Sequence, residues 1–256
     1  MTEIHPTAVI SKGAEIGEGA IIGPYCVIGE HVRVGAGVRL HGHVVLSGHA
    51  EIGAGCEIYP FAAIGGRSQD LKSRSGGFRV AVGEDTVLRE YVTIHSPTGE
   101  GGVTLVGARC LLMAGAHVAH DCLVGNEVII ANSSALAGHV VVEDCAILGG
   151  LCGVHQFARL GRLCIVGGCS KVTKDVPPFM MADGHPLEIV GPNRVGLQRH
   201  GVPEETRRRL KWAFRLLYRE GLSRREALER IDAEIPKVAE IEHLIAFCRA
   251  TQRGLT

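Results

Sequence analysis

From residue 4 onward, large aliphatic side chains recur at every sixth position. Ile4, Ile10, Ile16, Ile22, Ile28, Val34, Leu40, Leu46, Ile52, Ile58 and Ile64 keep the beat, and Asp70 and Gly76 miss it. The pattern resumes in phase at Val82, Leu88 and Ile94, misses at Glu100, and runs from Val106 to Val172. Of the 29 sixth positions between 4 and 172, 26 hold Ile, Leu or Val. A period of six matches neither the 3.6 of an amphipathic helix nor the 2 of an alternating strand, so both are excluded as the repeating unit. Each hexad instead reads as a short strand and a corner with one aliphatic pointing inward. The residue four places later is mostly small or β-branched (Ala8, Ala14, Ala20, Cys26, Val32, Ala50, Cys56, Ala116, Ser134, Ala146, Ala158), which suits a second, tighter inward position. Three hexads close one triangular coil of 18 residues, and stacked coils make a parallel β-helix. The pattern carries no information on handedness.

Both interruptions are whole multiples of six, so they are excursions from intact coils. The first, "GGRSQDLKSRSGGFRVA" at 65–81, is rich in Gly and Ser and carries Gln69, Asp70 and Lys72. Long loops extruded from a regular scaffold often carry function. The second, "SPTGEGGVT" at 96–104, receives no chemistry. The register is expected to end at "KDVPPFM", where Pro177 and Pro178 cannot donate to a ladder. Beyond it the pattern is helical: Pro203-Glu204-Glu205 is a helix start, Ser223 with Glu226 forms a capping box, and a third helix begins near Pro236. The expected organisation is a β-helix over 1–190 with a loop excursion at 65–81, then a helical domain over 191–256.

Composition narrows the classes. Lys plus Arg and Asp plus Glu balance at 27 each, which argues against nucleic acid as a partner. Apolar residues make up 46% and aromatics only 4%, the mark of a thin aliphatic interior. The start "MTEIHPTAVI" lacks a secretory signal, and nothing approaches the roughly 18 apolar residues of a membrane span. A cytoplasmic protein, not integral to the membrane, is expected. Six of nine cysteines (Cys26, Cys56, Cys110, Cys122, Cys152, Cys164) occupy the small inward slot and read as buried hydrophobes rather than disulfides or metal ligands. Charge is lopsided in the tail: between Arg194 and Arg225 ten Lys and Arg face three Glu, a net +7. Such a patch suits either a solvated face or an acidic partner.

Thirteen histidines are many for this length. His31, His41, His43 and His49 fall at non-inward positions and read as surface or stacking residues. His117, His120, His139 and His155 lie about one coil apart along one edge, as either a metal site or a polar cleft. Hexapeptide-repeat carbonic anhydrases bind zinc through a third histidine, whose place is taken here by Leu160, and two histidines alone make a poor zinc site. Acid–base chemistry suits the residues better. Neutral imidazole takes protons near neutral pH, and Asp121, next to His120 at a coil corner, could hold its tautomer.

Several stretches together carry a resemblance: "IHPTAVI", "IGPYCVIG", "QDLK", "HVAHDCLVGN", "LAGHVVVEDCAILGG", "VHQFARLG", "VGGCSKVTKDVPPFM" and "GPNRVGLQRHG". From residue 4 to the end the chain resembles the UDP-N-acetylglucosamine O-acyltransferases that begin lipid A synthesis. The resemblance implies a left-handed β-helix with a C-terminal helical domain, a homotrimer, and no cofactor or metal. It implies transfer of a (3R)-3-hydroxyacyl group from acyl carrier protein to the glucosamine 3-hydroxyl of UDP-N-acetylglucosamine, without an acyl-enzyme. His120 then matches the general base, Asp121 its partner, and the Gly138 amide the oxyanion donor. His117, His139, His155 and Gln156 match contacts to sugar and acyl chain, Asp70 and Lys72 contacts to sugar and phosphate, Asn193 and Arg199 the nucleotide or carrier side, and Gly168 the acyl path. The acidic carrier would meet the cationic tail. Val195 and His200 depart from the acid and second arginine common in the family. The alternative is the related N-acyltransferase of the same pathway, or a diamino-sugar variant. The N-acyltransferase places a uridine-binding domain before its repeats, for which a pattern starting at Ile4 leaves no room.

Overall fold

The computed structural model describes residues 1–73 and 78–256, so the missed beat at Gly76 lies outside the described residues. Strands of mostly two residues pair in parallel with those one coil away: Glu3–Ile4 with Ile21–Ile22, and these with Arg39–Leu40. Three sheets of 11, 9 and 8 strands result, and the solenoid is a left-handed parallel β-helix. Every aliphatic of the six-residue pattern from Ile22 to Val172 is buried, while Ile4, Ile10 and Ile16 line the less covered first coil. The excursions leave the ladder intact. Ile58 pairs with Leu88 and Leu88 with Leu112, so the two loops add twelve and six residues to an 18-residue step. Strands run into the loops from both sides, at Ala63–Gly66 and Arg79–Val82 and at Thr93–His95 and Val103–Val106. The excursions are therefore shorter than the 65–81 and 96–104 expected from the sequence.

The coils turn at residues in the left-handed region, which costs an L-residue about 1–2 kcal/mol. Corner hydrogen bonds offset that cost, for example His43 N to Pro24 O at 2.9 Å. Side chains at these corners fall above one another. Tyr25, His43, Phe61 and Tyr91 stack with centroids 4.9–5.1 Å apart. His31 stacks on His49 and His41 on Tyr59, the stacking role expected for the early histidines. All nine cysteines are free, and the six inward ones are buried.

The ladder does not end at the prolines. Met180–Asp183 adds one more parallel rung, Ile165 opposite Met181 and Val166 opposite Ala182, and then pairs antiparallel with Glu188–Pro192. Pro177 and Pro178 interrupt the chain between rungs, where no ladder donor is needed. The last strand runs through residue 190 and leads into a short helix, α1 (Arg194–Arg199), that periodicity does not reveal. Helices α2 (Glu204–Tyr218), α3 (Arg224–Glu234) and α4 (Ala239–Arg249) follow, with both hydrogen bonds of the Ser223–Glu226 capping box formed. Buried Asp175 ties this region to the last coil. Its carboxylate accepts from Arg159 and Thr251, and its backbone pairs with the C-terminal residues. Among the described residues no helix is long and apolar enough to cross a membrane.

Candidate active site

Val118 and Cys122 are fully buried inward residues, and they pin the stretch between them. His117 therefore points outward from the strand His117–Val118, in one row with Thr93, Ala135, Gly153 and Lys171. Two members of that row, Ala135 and Gly153, have almost no side chain, and the wall sinks there into a cleft of about 760 Å³. His120, Gly138, His155 and Gln156 face the cleft from the neighbouring corner, and Gln69, Asp70 and Lys72 from the first excursion. Asp70 also shapes its own loop, accepting from Lys72 N at 2.8 Å.

At the corner, Asp121 adopts the left-handed conformation (φ 58°), which turns its carboxylate back toward His120. His120 Nδ1 lies 2.9 Å from Asp121 Oδ2. Burial pushes the Asp121 carboxyl up, but hydrogen bonds from His120 and Thr98 outweigh it and hold the group below its ordinary range. An ionised carboxylate can only accept, so Nδ1 carries the proton and Nε2 is the free lone pair. His120 is 5% exposed, and its ring packs against Gly138 so closely that a Cβ at 138 would fall inside it. Ala137 N and His139 N donate to Val154 O and His120 O, whereas the amide of Gly138 between them has no acceptor among the described residues. A free imidazole nitrogen and a free amide thus meet in one cleft, the pair needed to accept a proton and to stabilise an oxyanion.

His139 stands one corner above Asp121, its Nε2 3.7 Å from Oδ2, and its ring stacks on Phe157 at 4.8 Å. His117 Nδ1 is 2.7 Å from Thr93 Oγ1, and its ring meets His95 edge-on. Burial, reinforced by His95 and His120, lowers the His117 pKa to about 4. His117 is therefore a neutral hydrogen-bonding group at any ordinary pH.

Of the expected residues, Asp121 and His139 adjoin this cleft behind His120 without lining it, and three stand apart from it in the single chain. Gly168 lies on a later corner beneath Gly150. Asn193 is buried as the N-cap of α1, accepting from Gly196 N and donating to Leu163 O. Arg199 ends α1. Conversely, Thr93, His95, Lys171 and Thr98 join the site unannounced. Stepping 18 residues from Gly153 along the outward row would have found Lys171. Thr98, from the second excursion, has no such signal.

Ligand atoms of His120, Asp121 and His139 lie within 4.8 Å of one another, close enough to hold a metal ion. Asp121 Oδ2, however, already accepts from His120 and twice from Thr98. A metal would have to displace these donors. Leu160, at the expected third zinc position, is a core residue. A thiol nucleophile is no better supported: burial pushes Cys122, next to the dyad, up to about 12, and a thiol attacks only as its thiolate.

Known proteins resemble this chain over its whole length. Residues 175–256 match the family profile of UDP-N-acetylglucosamine O-acyltransferase, domain 2, and residues 4–99 match a GMPPB C-terminal domain profile. The acyl-(acyl-carrier-protein)–UDP-N-acetylglucosamine O-acyltransferase of Thermodesulfovibrio yellowstonii is 47% identical over 256 residues, covering 100% of this chain and 99% of that one. The enzyme of the same name from Anaeromyxobacter sp. is 46% identical over 254 residues, 99% of each. The crystal structure of a UDP-N-acetylglucosamine acyltransferase from Bacteroides fragilis superposes with a TM-score of 0.97 at 37% identity, covering 99% of both chains. The chain belongs to the UDP-N-acetylglucosamine O-acyltransferase family.

Proposed function

We infer that this chain transfers an acyl group from acyl carrier protein to UDP-N-acetylglucosamine in lipid A synthesis, and that the group is a (3R)-3-hydroxyacyl chain placed on the glucosamine 3-hydroxyl. The carrying observation is that His120, paired with Asp121, lines the same cleft as Gly138, whose amide has no acceptor among the described residues and against which the His120 ring packs. His120 Nε2 takes the proton of the acceptor hydroxyl as its oxygen attacks the thioester carbonyl. Asp121 holds Nδ1–H and stabilises the imidazolium that forms. The Gly138 N–H donates to the carbonyl oxygen as it gains negative charge. Collapse of the tetrahedral intermediate breaks the C–S bond, and the imidazolium returns its proton to the leaving carrier thiolate. No acyl-enzyme and no cofactor enter this scheme.

Asp70 and Lys72, at the mouth of the cleft, suit the sugar and a phosphate, and His117, His139, His155 and Gln156 suit the sugar and the acyl chain. Asn193, Arg199 and Gly168, remote from the cleft of their own chain, fit a site completed by a second copy. An apolar strip supports association: Val87, Leu111, Ile129, Ile147 and Ile165 lie in register on the outer face of five successive coils. A homotrimer is the assembly proposed, with the helical region offering a docking surface for the acidic carrier. There a cavity of about 550 Å³ is lined by Arg194, Arg207, Arg208, Lys211 and Arg215 against one acid, Glu204.

The test is incubation of purified protein with 3-hydroxyacyl carrier proteins and UDP-N-acetylglucosamine, followed by mass spectrometry. A mono-acylated product cleaved by alkaline hydroxylamine, the behaviour of an oxygen ester, is expected. No product, or an amide formed only with an amino-sugar acceptor, would contradict the reading.

A further inference from the structure

The second excursion is wrapped around the Asp121 carboxylate. Thr98 donates to Oδ2 twice, from its backbone N at 3.1 Å and from Oγ1 at 2.8 Å. The same Oδ2 accepts from His120 Nδ1 at 2.9 Å. Thr104, fully buried in the strand that follows the excursion, accepts from the Asp121 backbone N at 2.9 Å. At the other carboxylate oxygen the chain passes so close that a Cβ at Gly102 would stand 2.9 Å from Oδ1 and 2.9 Å from Pro97. Gly102 does not have positive φ, so its lack of a side chain answers to that close approach. The start of the excursion is itself anchored, Ser96 donating to Gly66 O through both N and Oγ.

We propose that Thr98 is a positioning residue for acyl transfer, acting through Asp121. Together with the space left at Gly102, it holds the carboxylate in the one orientation that presents Oδ2 to His120. The inference rests on His120 acting as the base. A carboxylate on a corner residue can rotate about χ1 and χ2, and a single bond to His120 would not stop it. Two Thr98 donors fix Oδ2, and Oδ1 occupies the space that a side chain at 102 would take. The dyad thus has a third member on a loop without regular structure.

The experiment is steady-state kinetics of the full-length enzyme with Thr98→Val, Thr98→Ser and Gly102→Ala, each alone and the first also with Asp121→Ala, beside His120→Ala. Valine keeps the shape and the backbone donor and removes only the hydroxyl. A hydrogen bond to a charged group is worth enough to change a rate about tenfold. Expected are a kcat about tenfold lower for Thr98→Val, unchanged KM for the UDP-sugar and unchanged thermal midpoint, recovery in Thr98→Ser, and a kcat loss in Gly102→Ala. In the Asp121→Ala background Thr98→Val should change kcat less than twofold, because its target is gone. Wild-type kcat in both Thr98→Val and Gly102→Ala, with His120→Ala inactive, would overturn the inference and leave the base in place. Equal losses from Thr98→Val with and without Asp121 would also overturn it. Full activity in His120→Ala would remove the underlying reading and this inference with it.

Discussion

At the scale of single residues, the site works by giving similar side chains different surroundings. His120 has a carboxylate on Nδ1, so its charged form has a partner. His117 has a threonine hydroxyl and two histidine neighbours, so its charged form has none. Burial is the main cause of its lowered pKa, and the neighbouring imidazoles add to it. His117 should titrate by NMR with a midpoint about 4, against its ordinary 6.5. A midpoint near the ordinary value would contradict the described packing. The sign for stability follows from linkage. Between those two values the unfolded chain binds the proton that the folded chain refuses. This residue's contribution is therefore complete above the upper value and lost as pH falls toward the lower one. The roles of these residues were legible only in part from sequence. Adjacency in "AHDC" and a known family pattern pointed to His120 with Asp121, since neighbours at a corner stay neighbours. Thr98, 23 positions before Asp121, could not be placed, because a loop outside the repeat has no register to count.

At the scale of elements, the repeat was legible almost throughout, because each inward aliphatic answers to the same geometric demand. A coil of fixed perimeter has one large and one small inward place per side, and the sequence repeats that pair. The expected end of the register at Pro177 does not hold, because a proline breaks a ladder only where a donor is needed. Pro177 and Pro178 occupy a connection, and the ladder continues with Gly167 N donating to Ala182 O. The hairpin and α1 escaped notice because their registers are too short to show a period. Asn193 illustrates how an element can claim a residue. Both ends of its amide cap α1 and tether it to Leu163 O, so any contact with substrate must come from an already satisfied side chain.

At the scale of the whole molecule, the solenoid separates its tasks by face. One outward row forms the cleft, another carries the aliphatic strip from Val87 to Ile165, and the helices gather positive charge at one end. In the proposed trimer this strip would be covered by a second copy, adding apolar burial to a thin interior. Ile129→Glu, in the middle of the strip, places a charge in that contact. Light scattering should then show a fall from a three-chain mass to the 27.2 kDa of one chain, with activity lost alongside. A wild-type mass for the variant would place the contact elsewhere.

Everything proposed for the cleft turns on His120, held by Asp121, as the general base. The most direct measurement is single-turnover acyl transfer by His120→Ala, with its thermal midpoint and assembly measured on the same sample. A rate lower by about 10²–10⁴-fold in a folded, assembled protein is expected. Near-wild-type turnover in that protein would contradict it.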